Sequence, residues 1–206
     1  MMKELKFTVT GMNEIRLNNP QAADPLNKFA KEMKKFTNIH VSRRDDAHYI
    51  AQRELEVKSK LYYNDELGVY VPTSWIMEAI AKESFAQVKI AKAKMRSAVF
   101  VKSHASKGSP KIKLHYHGME TVKCRDDLVY REDFKVAELI KQGQVRIVKV
   151  FPVFENWHFD VELDFDDKVF TEDDLRAVLN QAVHYNGFGD FRPTYGRGSI
   201  SNWKCT

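Results

Sequence analysis

The sequence predicts an α+β fold built in the order strand, helix, strand, strand, helix, strand. Three observations carry that prediction. Apolar residues alternate with polar ones at the start of the chain and again around residue 160; they recur at helical spacing after Pro72 and after Thr171; and a short final segment can close a sheet. With 206 residues and 43% apolar content the chain can bury a full core. It reads as a single domain, 1–206, interrupted by insertions at about 12–68 and 103–144.

Leu5, Phe7 and Val9 alternate with Lys6, Thr8 and Thr10 up to Gly11, the period-two pattern of a strand with one buried face. Asp24-Pro25 opens an expected helix through Phe36, with Leu26, Phe29, Ala30 and Met33 on its apolar side, and a second helix is expected over about 45–58. Leu61–Tyr63 and Val69–Val71 flank a five-residue turn and read as a hairpin that stops at Pro72. Thr73 or Ser74 is then expected to cap a helix that carries Ile76, Ala79 and Ile80 on one stripe and reaches about Lys92. Ser97–Val101 reads as a buried strand, with Phe100 in the core, and Ser103–Pro110 as a basic loop. Ile112, Leu114 and Tyr116 alternate with Lys111, Lys113, His115 and His117, which predicts a strand with one basic, imidazole-bearing face.

Val145–Phe151 and Trp157–Phe165 are expected to form a hairpin with Pro152 near its turn, Phe159, Val161, Leu163 and Phe165 facing inward and Asp160, Glu162 and Asp164 outward. Thr171 to Asp174 resembles a capping box, and Leu175, Val178, Leu179, Ala182 and Val183 continue a helix to Gly187. Gly198–Lys204 closes the series as a strand. Setting the insertions aside, the order is the β-α-β-β-α-β of a ferredoxin-like sheet.

The net charge of +5 is modest, but its distribution is uneven. Between Ser84 and Met119 there is no Asp or Glu, whereas Lys89, Lys92, Lys94, Arg96, Lys102, Lys107, Lys111 and Lys113 occur there. From Glu155 to Asp174 nine acids face the single Lys168. If the fold separates these segments, one face attracts phosphates and another repels them; otherwise they are ordinary solvated faces. No apolar run approaches roughly 18 residues, and the opening MMKELKFTVTG lacks a charged-then-apolar pattern, so the expectation is a cytoplasmic protein with no membrane partner. Cys124 and Cys205 stand alone, without a CxxC or a nearby histidine at ligand spacing, which argues against a disulfide framework or a zinc site.

The most specific string is GFGDFRPTYGRG, 187–198, between the last helix and the last strand. Gly187, Gly189, Gly196 and Gly198 let a backbone approach a ligand, and Arg192 and Arg197 can form paired hydrogen bonds to phosphate. It is not a P-loop, since it follows a helix C-terminus and lacks GK[ST]. The alternative is a tight turn whose arginines pair with the acidic 155–174 segment.

This loop, just before a terminal strand, resembles the G-rich loop of the RAMP superfamily, the RNA-binding proteins of CRISPR effector and processing complexes. Val69-Tyr70-Val71-Pro72-Thr73-Ser74-Trp75-Ile76 is similar to the lead-in to the first helix in the backbone-forming branch of that superfamily, with Thr73 where glycine is usual. The resemblance implies a single RAMP-like domain with a ferredoxin-like core, and RNA or another nucleic acid near the first helix and the loop, lined by Thr73, Ser74, Gly187, Gly189, Arg192, Gly196, Arg197 and Gly198. The acid-free stretch adds Lys102, Lys107, Lys111 and Lys113 as backbone contacts, and Tyr116 or Phe191 as stacking platforms if exposed. A homo-oligomer or a larger ribonucleoprotein is a compatible assembly.

Two other classes stay open. His115 and His117, with Lys113 and Tyr116, could serve a metal-independent endoribonuclease. A nucleotide-sequestering or assembly protein of a viral or defence-related system is the third. The acids Asp160, Glu162, Asp164, Asp166 and Asp167 could hold Mg2+ or Ca2+, yet outward acids on a half-buried strand explain them, so neither metal nor cofactor is expected.

Overall fold

A computed structural model describes residues 1–206, residue 142 through its backbone alone. The strands are β1 (Met2–Gly11), β2 (Ile15–Arg16), β3 (Tyr63–Asn64), β4 (Gly68–Pro72), β5 (Val99–Val101), β6 (Lys111–Lys113), β7 (Lys135–Gln142), β8 (Val145–Phe154), β9 (His158–Asp166) and β10 (Gly198–Cys205). The helices are α1 (Lys28–Thr37), α2 (Asp46–Lys60), α3 (Thr73–Val88), α4 (Lys92–Ala98), α5 (Arg125–Tyr130) and α6 (Glu172–Asn180). The protein is thus α+β, and its chain forms two compact units: residues 1–15, 64–117 and 155–206 make the first, and 16–63 and 118–154 the second. Among the described residues no helix is long and apolar enough to cross a membrane.

The first unit is built on a four-stranded sheet in the order β10-β1-β9-β5, with every neighbouring pair antiparallel. The register from Met2↔Asp166 to Thr10↔His158 puts Leu5, Phe7 and Val9 on the same face as Phe159, Val161, Leu163 and Phe165. All seven side chains are buried, α3 packs on β5 and α6 on β10, and the two helices meet each other. Each such burial is worth about 1.5–3 kcal/mol, so the alternation read from the sequence selects both the register and the covered face. Thr171 caps α6 by accepting the Asp174 N–H at 3.1 Å while Asp174 accepts the Thr171 N–H at 2.9 Å.

The opposite face of this sheet is polar and internally neutralised. Lys6 meets Glu162 at 3.0 Å, the Thr8 hydroxyl donates to Asp160 at 2.7 Å, and Lys102 meets Asp164 at 3.1 Å and also Glu4. Tyr70↔Lys113 to Pro72↔Lys111 pair β4 with β6.

In the second unit β7 and β8 form an antiparallel hairpin from Lys135↔Pro152 to Gln142↔Val145, turned at Gly143 with φ 63°. Buried Glu56 of α2 anchors the helix to β8, accepting from Lys149 at 2.7 Å and from the Val150 N–H at 3.0 Å.

Several local expectations are corrected. The partner of β8 is β7 and not the strand after Trp157, because the run 135–142 followed by a tight glycine turn supplies a nearer mate; Pro152 lies inside β8, its carbonyl accepting the Leu17 N–H at 3.0 Å. The helix after Pro72 does not run to Lys92: it ends at Val88 with Lys89 left-handed at φ 61°, and α4 follows. Neither Thr73 nor Ser74 caps α3; Pro72 holds that position, and the Thr73 N–H goes to the Pro110 carbonyl at 3.3 Å. The first helix starts at Lys28 because Asn27 accepts the Phe29 N–H at 2.9 Å, leaving Leu26 75% exposed. Phe100 is 53% exposed, since it shares the polar face with Asp164, its cross-strand partner.

Candidate nucleic-acid interface

The loop between α6 and β10 is assembled by close backbone contacts. The end of α6 widens into one π-turn, 181–186, which Gly187 terminates at φ 69° with its N–H on the Ala182 carbonyl at 2.9 Å. A Cβ on Gly196 would sit 1.8 Å from the Phe188 carbonyl oxygen, one on Gly187 2.6 Å from the Gly196 carbonyl oxygen, and one on Gly198 2.7 Å from that of Thr10. These three glycines are therefore required by the loop's own closure. Gly189, at φ 81°, lines a cleft beside the loop, and Gly198 lines a second one with His184 and Tyr185.

A single side chain braces the loop from the end of β1. Asn13 accepts the Arg197 N–H at 3.0 Å and donates to the Thr194 carbonyl at 2.8 Å, while its own carbonyl accepts the Trp157 indole N–H at 2.7 Å. The Gly196 N–H reaches the Glu14 carbonyl at 2.8 Å.

Beside the loop lies an open cleft of about 480 Å³, lined by Lys82 of α3, Asn186, Gly189, Asp190, Phe191, Arg192 and Pro193. Asn186 is oriented by donating to buried Glu83 at 2.8 Å. Phe191 is left-handed at φ 56°, a costly conformation for a bulky residue, held in part by its N–H donating to the Asp190 carboxylate at 3.0 Å. Lys82 and Arg192 are exposed and make no ion pair among the described residues. Half-buried Arg197 likewise meets no carboxylate, and its Nε is buried without a hydrogen-bond partner. Among the described residues neither Arg192 nor Arg197 is tied to the acids of 155–174, several of which are met instead by lysines, Arg176, a threonine hydroxyl, the Trp203 indole and the N-terminus.

The lysines of the acid-free stretch divide. Lys102 is held by Glu4 and Asp164, so its charge is already matched. Lys111 is buried; its ammonium donates to the Ser109 carbonyl at 2.7 Å and lies 5.3 Å from the Tyr70 ring centroid. Lys113 is half-buried and Lys107 exposed. Tyr116 is buried, which removes it as a stacking platform, because it continues the apolar side of Ile112 and Leu114. Thr73 is buried and Ser74 exposed.

His115 does not pair with His117. It stacks on His158, ring centroids 4.7 Å apart and planes 8° from parallel, and the two backbones exchange hydrogen bonds of 2.9 Å. Burial, then the neighbouring His158 and Lys113, holds the His115 pKa below the ordinary imidazole value. His117 is exposed, with its N–H on the Glu155 carbonyl at 3.0 Å.

Sequence reasoning missed Lys82, Asn13 and Asn186. Asn186 adjoins Gly187 and could have been included with the loop; Lys82 and Asn13 carry no local signal, since only the tertiary fold brings them there.

No family model matches the chain, and no curated protein matches it. A chain in the cryo-EM structure of the Type III-B Cmr-beta bound to cognate target RNA is similar over 99% of this chain and 60% of its own, with 8% identity and a TM-score of 0.48. The present chain thus spans about 60% of the length of that neighbour.

Proposed function

We propose that the chain is a non-catalytic, RAMP-like RNA-binding protein in which the cleft beside the glycine loop receives backbone phosphates. The observation that carries this reading is the presence of two unmatched cations, Lys82 and Arg192, on one open cleft of about 480 Å³ whose loop is braced in advance. Unpaired cations on a concave surface favour an anionic ligand, and a guanidinium suits phosphate geometry. Arg197, Gly189 and Ser74 belong to the same reading, as do Lys107 and Lys113 as peripheral phosphate contacts. The strand order β10-β1-β9-β5, with helices between the first and second and between the third and fourth strands of that core, supports a ferredoxin-like assignment. The regions 12–68 and 103–144 are read as insertions into that core; the second unit overlaps them over 16–63 and 118–144, while 103–117 lies with the first unit and 145–154 with the second. RNA, alone or within a ribonucleoprotein, is the partner.

The test is fluorescence anisotropy with single-stranded RNA over a salt series. Arg192→Ala with Lys82→Ala is expected to lower affinity about 10- to 100-fold, from the usual worth of charge-assisted hydrogen bonds, and to flatten the salt slope by about 0.7 per lost contact. Unchanged affinity in the double variant, or no binding by the parent protein, rejects the reading.

The His115–His158 stack favours one second reading, a metal-independent endoribonuclease, because an imidazole held neutral by burial can accept a proton near pH 7. RNA cleavage in EDTA that disappears in His115→Ala would support it; cleavage that persists, or none in the parent, removes it.

A further inference from the structure

The two edges of the first unit's sheet are unequal. At one edge β5 spans three residues, a length that offers little to a further strand, whereas β10 at the other spans eight. The Met12 N–H donates to the Arg197 carbonyl at 2.8 Å, and Thr10↔Ser199 and Val9↔Ile200 continue that register. Antiparallel partners alternate in the direction of their backbone groups, so Ser199 turns its N–H and C=O towards β1, while Gly198 and Ile200 turn theirs to the free edge. Among the described residues nothing answers them there. Open edges are normally guarded by a lysine, a proline or a bulge. The stretch 198–201 has none of these; the bend at Asn202, φ 53°, and Lys204 come only after it.

The π-turn at the end of α6 leaves a cleft of about 300 Å³ beside this stretch, whose lining includes Asn180, Val183, His184, Tyr185, Gly198 and Ile200. Pairing with Val9 puts the half-buried Ile200 side chain on the helix-covered face, where the cleft opens. Tyr185 is 59% exposed and meets His184 edge to face at 4.7 Å. In contrast to the cleft of Lys82 and Arg192, no Asp, Glu, Lys or Arg lines this one, so a phosphate finds no cation in it. A two-fold axis sets each group against its own counterpart: a charged patch then repels itself, whereas an uncharged patch of donors, acceptors and apolar groups is self-complementary.

We infer that the open edge of β10 is a self-association surface, on which a second copy of the chain lays its own β10 antiparallel with Ile200 opposite its counterpart. The two Ile200 residues exchange N–H and C=O bonds across the axis and join the sheets into one, as in other strand additions. Their side chains meet on the helix-covered face, and the two exposed Tyr185 rings close over them. The bend at Asn202 ends the pairing, so the contact is short and the dimer weak, with dissociation expected at micromolar concentration. This inference is independent of the nucleic-acid reading above.

The test is sedimentation velocity of the nuclease-treated full chain from low to high micromolar concentration, where the parent should pass from monomer to dimer. Ile200→Pro removes the outward N–H and spares the Ser199 bonds to β1, a place where an edge strand tolerates proline; it should weaken association roughly tenfold or more. Ile200→Lys keeps the backbone donor and sets like charges across the axis, so it should act similarly even where the proline variant fails to fold. Tyr185→Ala should weaken association roughly threefold or more. Far-UV circular dichroism of the dilute variants checks that each folds. A parent that stays monomeric at the highest concentration overturns the inference, as does a dimer that the Ile200 and Tyr185 variants leave intact. Association seen only before nuclease treatment is a bridge made by nucleic acid and overturns it too.

Discussion

Lys102 and Lys111 sit in the most basic stretch of the chain, yet Lys102 is matched by two carboxylates and Lys111 is buried against a carbonyl and a tyrosine ring. Lys82 and Arg192 come from segments of ordinary composition and remain unmatched on an open cleft. The difference shows that charge summed along a sequence is a poor measure of charge offered to a ligand. What decides is cross-strand register: the outward acids of β9 stand opposite β1 and level with the end of β5, so they claim the nearest cations.

This contrast can be broken experimentally. The largest effect is expected at Gly196, which holds the unmatched arginines' loop closed. Gly196→Ala adds a Cβ 1.8 Å from a backbone oxygen at φ 75° and should destabilise the first unit by about 3 kcal/mol or more, read as a fall in melting temperature together with lost RNA affinity. A variant with normal melting behaviour would mean that the loop is not closed as described.

Lys111→Met should cost about 1 kcal/mol of stability, through the lost carbonyl bond and ring contact, while leaving RNA affinity unchanged. A loss of affinity without a loss of stability would return Lys111 to the ligand surface.

His115 gives a smaller, pH-dependent effect. Its folded pKa lies below the reference 6.5, so below that pH the unfolded chain binds the proton more readily than the folded one. The stability from this site is fully present above pH 6.5 and declines as pH falls from there towards the folded pKa. His115→Gln should flatten that part of the stability curve, measured by urea unfolding between neutral and mildly acidic pH. The smallest effect belongs to Lys102→Ala, for which RNA affinity and salt slope should match the parent protein; a clear drop in either would collapse the distinction between matched and unmatched cations.

Much of the first unit's sheet was legible because burial enforces alternation. Leu5, Phe7 and Val9, and Phe159 through Phe165, could not face water without a large penalty, so their pattern foretold strand, face and depth. Phe100 misled for the same reason in reverse, as a lone aromatic in an apolar run whose register points it outward. The β7–β8 pairing was missed because Lys135–Gln142 mixes charged and apolar residues, and its turn rests on a single glycine. At the candidate site the glycine–arginine string was visible as a motif. The roles of Lys82 and Asn13 were not, since each depends on a partner more than a hundred residues away.

Asn13 has a kinetic consequence. With one amide side chain spanning Thr194 and Arg197, and the indole of Trp157 pinning the same residue from below, the arch around residues 190–197 is ordered before any ligand arrives. For the RNA binding proposed above, capture then requires no folding step, so encounter should be governed by long-range attraction and should slow as added salt screens it. Cutting that tether, as in Asn13→Ala, would turn a preset cradle into a fluctuating one, and the deficit would emerge in the rate of complex formation before any contact with the ligand had been removed.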